Sequence, residues 1–266
     1  MPQSPFITLE QLLIRFNELG LAQTVDHSTF NRIAIVHHGS AIEGSTLTLE
    51  ETQVLILDGT TSKGKPMEHH LMVTDHHTAL LHTLDAAAKR LPITPELLRS
   101  INAAVNRGTG KIRNTVLGTC DDSKGDFRLG NVTAGTTYFV NYDKVIPMVN
   151  DLCLRLQARL GEKGDAMARY RLSFEAHFYL VSIHPWFDGN GRTSRLLMNF
   201  IQAKFALPLT IVFAEDKAEY ITALNRSRAD DSTDAFCHFM AEQACKYVQQ
   251  QLDHYNQSQN GFDIRL

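Results

Sequence analysis

The chain has 266 residues, 43% of them hydrophobic and 21% charged, with a formal net charge of −3. That composition is ordinary for a globular protein and long enough for one large domain or two modest ones. The slight negative charge argues against general nucleic-acid affinity, and no apolar run reaches the ~20 residues of a membrane-spanning helix. Cys120, Cys153, Cys237 and Cys245 show no C-x-x-C pairing and read as reduced thiols filling core or surface positions. The start M-P-Q-S-P carries no basic segment ahead of an apolar run, so the cytoplasm is the expected compartment.

In chain order, Thr8 can cap a helix carrying Leu9, Leu12, Leu13 and Phe16, with Gly20 as its stop. A second helix is predicted from about His27 to Ile42, marked by Phe30, Ile33, Ala34 and Val36, with Gly44 past its end. Thr48 and Glu51 form a capping-box pattern for the next helix, which Asp58-Gly59 ends. Residues 66 to 90 are a long helical candidate, broken at Leu91-Pro92. Of its histidines His69, His70, His76, His77 and His82, the pairs His69/His76 and His70/His77 are seven apart, wider than a helical zinc pair uses, and the set reads as a polar helix face. Thr94-Pro95-Glu96 opens another helix, with Pro at its first position.

Residues 107 to 137 are rich in Gly, Thr, Asn and Asp and form the one extended non-helical stretch. Asp126 to Tyr138 alternates weakly, as a short hairpin would. Helical patterns resume at about 143–160, 164–183, 191–206, 215–228 and 231–252, and Q-S-Q-N-G near the end reads as a frayed tail. The fold expectation is all-α with a small β-hairpin, one domain wrapped by an N-terminal helical arm.

The chemistry concentrates between His184 and Arg195, in H-P-W-F-D-G-N-G-R-T-S-R. Pro185 disfavours helix at the residue before it, so one helix ends near His184. Gly189 and Gly191 flank Asn190 in a tight turn that lets a ligand approach the backbone. Leu196, Leu197, Phe200, Ile201 and Phe205 then recur at helical spacing. A Gly-rich loop opening a helix is an anion site, because its first N–H groups and dipole end face the loop. Arg192 and Arg195 are three apart, share a helix side and suit phosphate oxygens.

This stretch resembles the Fic family, whose pattern is H-P-F-x-D/E-G-N-G-R-x-x-R; Trp186 alone departs from it. The resemblance spans residues 30 to about 245. It divides the chain into an arm (1–29), a Fic domain (30–256) whose inhibitory helix is at about 27–43, and a tail (257–266). It implies a protein adenylyltransferase that moves AMP from ATP with Mg2+ to a Ser, Thr or Tyr hydroxyl of a target protein. His184 would be the general base and Asp188 the Mg2+ ligand. Gly189, Asn190 and Gly191 would form the anion hole, with Arg192 on the β-phosphate and Arg195 on the γ-phosphate. Phe127, Arg128 and Val132 resemble the family's flap, where Val132 and Thr133 would dock the target by strand addition. Tyr220, in A-E-Y-I-T-A-L, matches a tyrosine lining the adenine pocket, while Arg228 stands where an Asn often follows.

Gly39-Ser40-Ala41-Ile42-Glu43-Gly44 resembles the family's inhibitory motif S/T-x-x-x-E-G/N, with Gly39 in the hydroxyl position. Glu43 would pair with Arg195 and block the γ-phosphate. The expected partners are ATP and the target protein, with neither nucleic acid nor membrane; a homo-oligomer is allowed. The alternatives are a de-adenylylating or other phosphate-transfer Fic enzyme, and an inactive regulatory protein on the same fold.

Overall fold

A computed structural model describes residues 4–21, 25–135 and 137–262. Ten α-helices and four short strands occur among them. The helices are α1 (Pro5–Glu18), α2 (Val25–Ile42), α3 (Leu49–Asp58), α4 (Met67–Ala88) and α5 (Pro95–Val105). They continue with α6 (Tyr142–Gly161), α7 (Ala166–Ile183), α8 (Asn190–Lys204), α9 (Lys217–Ala229) and α10 (Asp234–Phe262).

Several boundaries follow directly from local chemistry. Thr48 Oγ1 accepts from the Glu51 N–H while Glu51 accepts from the Thr48 N–H, the reciprocal cap the sequence predicts. Gly59 ends α3 at φ +68°, and Thr94 caps α5 ahead of Pro95. Two ends differ from expectation. Helix α1 begins at Pro5 rather than behind Thr8, because Pro suits the first helical position. Helix α10 runs to Phe262, through the stretch read as frayed.

The non-helical stretch holds two hairpins, not one. Strands β1 (Ile112–Thr115) and β2 (Gly118–Asp121) pair antiparallel, Ile112 opposite Asp121. Strands β3 (Thr133–Ala134) and β4 (Thr137–Tyr138) form the expected flap, Thr133 opposite Tyr138. The first hairpin was not legible because its strands, which bury only Cys120, show no apolar alternation.

Helices α7 and α8 form the centre. One side of α7 (Leu172, Ala176, Leu180, Ile183) joins a core with Val73 and Leu80 of α4, Leu98 of α5, Leu152 of α6 and Phe200 of α8. Its other side (Tyr170, Phe174, Phe178, Val181) joins a second core with Leu9 and Leu13 of α1, Leu224 of α9 and Phe236 and Met240 of α10. A helix apolar on both sides is enclosed by its neighbours. Burying both helices fixes the loop between them against a rigid frame.

Candidate active site

The loop between α7 and α8 is held from four directions. His184 ends α7 in the left-handed region, φ 53° and ψ 60°. A non-glycine residue there costs roughly 1–2 kcal/mol, and such strain persists only where surroundings enforce it. Arg128 supplies that enforcement. It is 1% exposed, and its Nε donates to the His184 carbonyl at 2.8 Å while its backbone N–H donates to the Pro185 carbonyl at 2.9 Å. Nη1 and Nη2 of Arg128 donate to the carbonyls of Gly130 and Val140, the two legs of the flap. One buried guanidinium therefore ties the flap's base to the backbone of His184.

Trp186, 1% exposed, packs beneath the loop and its Nε1 donates to the Gly125 carbonyl at 3.1 Å. Asn190 closes the turn, accepting from the Trp186 N–H at 3.0 Å and donating back to the Trp186 carbonyl at 2.9 Å. Gly189 sits at φ +78°, and a Cβ there would meet Nδ2 of Asn106 and Asn102 at 2.7 and 2.8 Å. Those α5-end asparagines donate to the Asp188 carbonyl at 3.3 and 3.1 Å. Asn102 also reaches Thr193 Oγ1 at 3.0 Å, linking loop to helix. Sequence reasoning missed Asn102 and Asn106; they lie more than eighty residues away, and nothing local marks them. Arg128 was noticed only as part of the flap.

The first turn of α8 starts at Asn190, so the N–H groups of Gly191 and Arg192 have no carbonyl four residues back within the helix. The two arginines diverge from their shared side. Arg192, 2% exposed, donates to the Val105 carbonyl at 3.0 Å and approaches Asp188 Oδ1 at 3.4 Å. Arg195, 5% exposed, turns to α2: its Nη2 donates to Glu43 Oε1 at 2.6 Å and to the Gly39 carbonyl at 3.0 Å. Nε and Nη1 of Arg195 and Nε of Arg192 make no hydrogen bond among the described residues. Buried donors left over in this way suit an anion. Burial pushes the Glu43 carboxyl up, but the charges of Arg195 and Arg192 outweigh it and hold it below the usual carboxylate range.

His184 is covered by the flap's return leg. The Phe139 ring stacks on the imidazole, and the Arg228 guanidinium lies 5.7 Å from the Phe139 centroid. Burial chiefly, with the Arg128 and Arg228 charges, lowers His184 to about 4, against the contact with the Val181 backbone and the Glu43 charge. The imidazole is therefore neutral at pH 7 and able to accept a proton.

Asp188 is the open carboxylate of the loop, its side chain 48% exposed. A hard oxygen donor of this kind fits Mg2+, which takes one or two protein carboxylates and completes its shell with phosphate oxygens and water. No cluster of three His, Cys, Asp or Glu side chains suited to a metal occurs among the described residues.

Tyr220 is 3% exposed; its phenol meets His177 Nε2 at 2.9 Å and interacts with Arg195, so it packs directly beneath the site. Val132 and Thr133 lie in the flap, Thr133 exposed and Val132 half-buried. The α4 histidines do not share one polar face. His70 and His76 are 3% and 1% exposed, His69 accepts from the Thr46 N–H, and His82 meets Ser100 Oγ. Their neighbours, not their spacing, decide these roles.

Residues 92–202 match the Fic/DOC family. Over 212 residues the chain is 28% identical to the protein adenylyltransferase Fic of Drosophila grimshawi, covering 78% of this chain and 40% of that protein. It is 30% identical over 198 residues to the protein adenylyltransferase fic-1 of Caenorhabditis elegans, covering 74% of this chain and 36% of that one. The chain spans about two fifths of the length of these curated relatives. Among solved structures, Fic-1 from C. elegans shares the fold with a TM-score of 0.77 at 23% identity, covering 96% of this chain and 72% of that chain. The loop from His184 to Arg195, the helical frame around it and these likenesses agree: the chain carries a Fic domain over residues 92–202.

Proposed function

We propose that the chain is a protein adenylyltransferase, transferring AMP from ATP to a side-chain hydroxyl of a target protein, with Glu43 as a built-in brake. The observation carrying this reading is the juxtaposition within one short loop of a neutral, strained His184 and the open first turn of α8 backed by Arg195. His184 takes the proton of the attacking hydroxyl, a role typically worth roughly 10²–10⁴ in rate. The hydroxyl oxygen bonds to the α-phosphorus while the bond from that phosphorus to the leaving pyrophosphate breaks. Gly189, Asn190 and Gly191 cradle the transferred phosphate with backbone donors, stabilising charge where it develops. Arg192 is pinned by Val105 and holds the loop's charge balance beside the β-phosphate. Arg195 forks onto the γ-phosphate once Glu43 leaves it. Asp188 would hold Mg2+, which when bound neutralises phosphate charge.

The flap carries the second half of the reading. Its strands are only two residues each and, Thr137 apart, exposed, so a target segment can add alongside through main-chain hydrogen bonds. Arg128 then keeps that docked strand in fixed relation to His184. The test separates the phosphates of ATP. Label on the α-phosphate should enter protein and label on the γ-phosphate should not, and His184→Ala should abolish transfer while nucleotide binding survives. Transfer of γ-label, or unchanged labelling by His184→Ala, would reject the reading.

A further inference from the structure

The joint between α2 and α4 explains why a glycine occupies position 39. A Cβ built on Gly39 would lie 2.3 Å from Cε1 of His76 and 3.2 Å from its Nδ1. Real Cβ atoms do not tolerate the first of these distances, so any side chain at 39 must displace the imidazole or lift α2. The imidazole has nowhere to go. His76 is 1% exposed, its Nδ1 is 3.2 Å from Ser40 Oγ, and the cavity bordered by Gly39, His76 and Arg195 is about 10 Å³. A space of that size holds about one water at most.

The same turn of α2 carries both contacts to Arg195. The Gly39 carbonyl and the Glu43 carboxylate share its Nη2, at 3.0 and 2.6 Å. The depth at which α2 seats on α4 therefore sets whether both oxygens reach the guanidinium together. We propose that Gly39 and His76 form a notch and knob that fix this depth, making His76 the positioning residue that holds Glu43 on Arg195. Position 39 then works through close approach where the inhibitory motif has a hydroxyl, and the brake is intact. This inference rests on reading Glu43 as a brake.

It makes a counterintuitive prediction: Gly39→Ser, which restores the motif's hydroxyl, should release the brake. Incorporation of α-labelled ATP into the chain itself should rise at least ~tenfold over wild type, towards the Glu43→Gly level; a tenfold rise corresponds to about 1.4 kcal/mol of barrier. Adding His76→Ala to Gly39→Ser vacates the space the new side chain needs and should return labelling to near wild type. A merely structural role for His76 would not produce that rescue. Hydrogen exchange gives a readout independent of transfer. The amides of Glu43, Gly44 and Ser45, which donate to Ser40, Ala41 and Ser40 carbonyls, should exchange faster in Gly39→Ser and recover in the double variant.

Unchanged exchange in Gly39→Ser overturns the joint, as does labelling that stays at the wild-type level while Glu43→Gly is active. Faster exchange with no activation by Glu43→Gly keeps the joint and rejects the brake. Should Gly39→Ser not fold, His76→Ala alone carries the test. Ser40 loses its partner and α2 its stop, so the same amides exchange faster, and unaltered exchange overturns the proposal.

Discussion

The Phe139 ring lies nearly flat on the imidazole of His184, with centroids 3.8 Å apart and planes 16° from parallel. The flap thereby shields the imidazole from water, and dehydration disfavours its charged form. Only neutral imidazole accepts a proton, so transfer falls as pH drops through the His184 pKa, lowered to about 4 in the closed stack. Phe139→Ala admits water and returns that pKa towards its ordinary 6.5, so the acid limb of the pH–rate profile should move up by about one unit or more. The measurement is kcat/KM for AMP transfer between pH 4 and 8 in a Glu43→Gly background. Superimposable profiles would show that the ring does not control the base.

Glu43→Gly removes the carboxylate from Arg195 and leaves a residue tolerated at a helix end. With Arg195 free for phosphate, AMP transfer at saturating Mg-ATP should rise at least ~tenfold, since alignment of reacting groups can decide rates by far more than this. Arg195→Ala should cancel the gain, because both changes act through one contact. Equal rates for wild type and Glu43→Gly would contradict a brake.

Strand addition at the flap needs its main-chain donors. Val132→Pro and Thr133→Pro each remove one N–H. Labelling of an outside target should fall at least ~tenfold while ATP affinity, measured by calorimetry, is retained. Full labelling of that target by both proteins would place docking elsewhere.

Gly189 has no room for a methyl group, with Asn102 and Asn106 on one side and φ at +78°. Gly189→Ala should cost roughly 1–2 kcal/mol from the left-handed backbone and more from the displaced asparagines. A fall in melting temperature of at least ~3 °C is expected, with transfer reduced more than ~tenfold as Asp188 and the α8 N-terminus shift. A melting curve and turnover matching wild type would show that the loop adapts freely.

The local signals were enough for a large part of this protein. Thr48 with Glu51, Thr94 with Pro95, and Gly59 act within a few residues, so their caps and stops follow from the sequence alone. His184 to Arg195 is one continuous stretch, which makes the candidate base, anion cradle and arginines legible together. Even the Glu43–Arg195 pair was reachable, through the resemblance of residues 39–44 to an inhibitory motif. Tertiary structure decided everything that depends on distant segments meeting. The tie from Arg128 to His184, the support of Asp188 by Asn102 and Asn106, and the stack of Phe139 on His184 join residues tens of positions apart. Arg192 and Arg195 share a helix side, yet packing sends one to α5 and the other to α2. Likewise the spacing of the α4 histidines says nothing of which is buried; His76 takes its role from the missing side chain at Gly39. Periodicity and capping are properties of neighbours in the chain, whereas these contacts are set by how enclosed helices pack, and that packing alone fixes which polar groups must find partners.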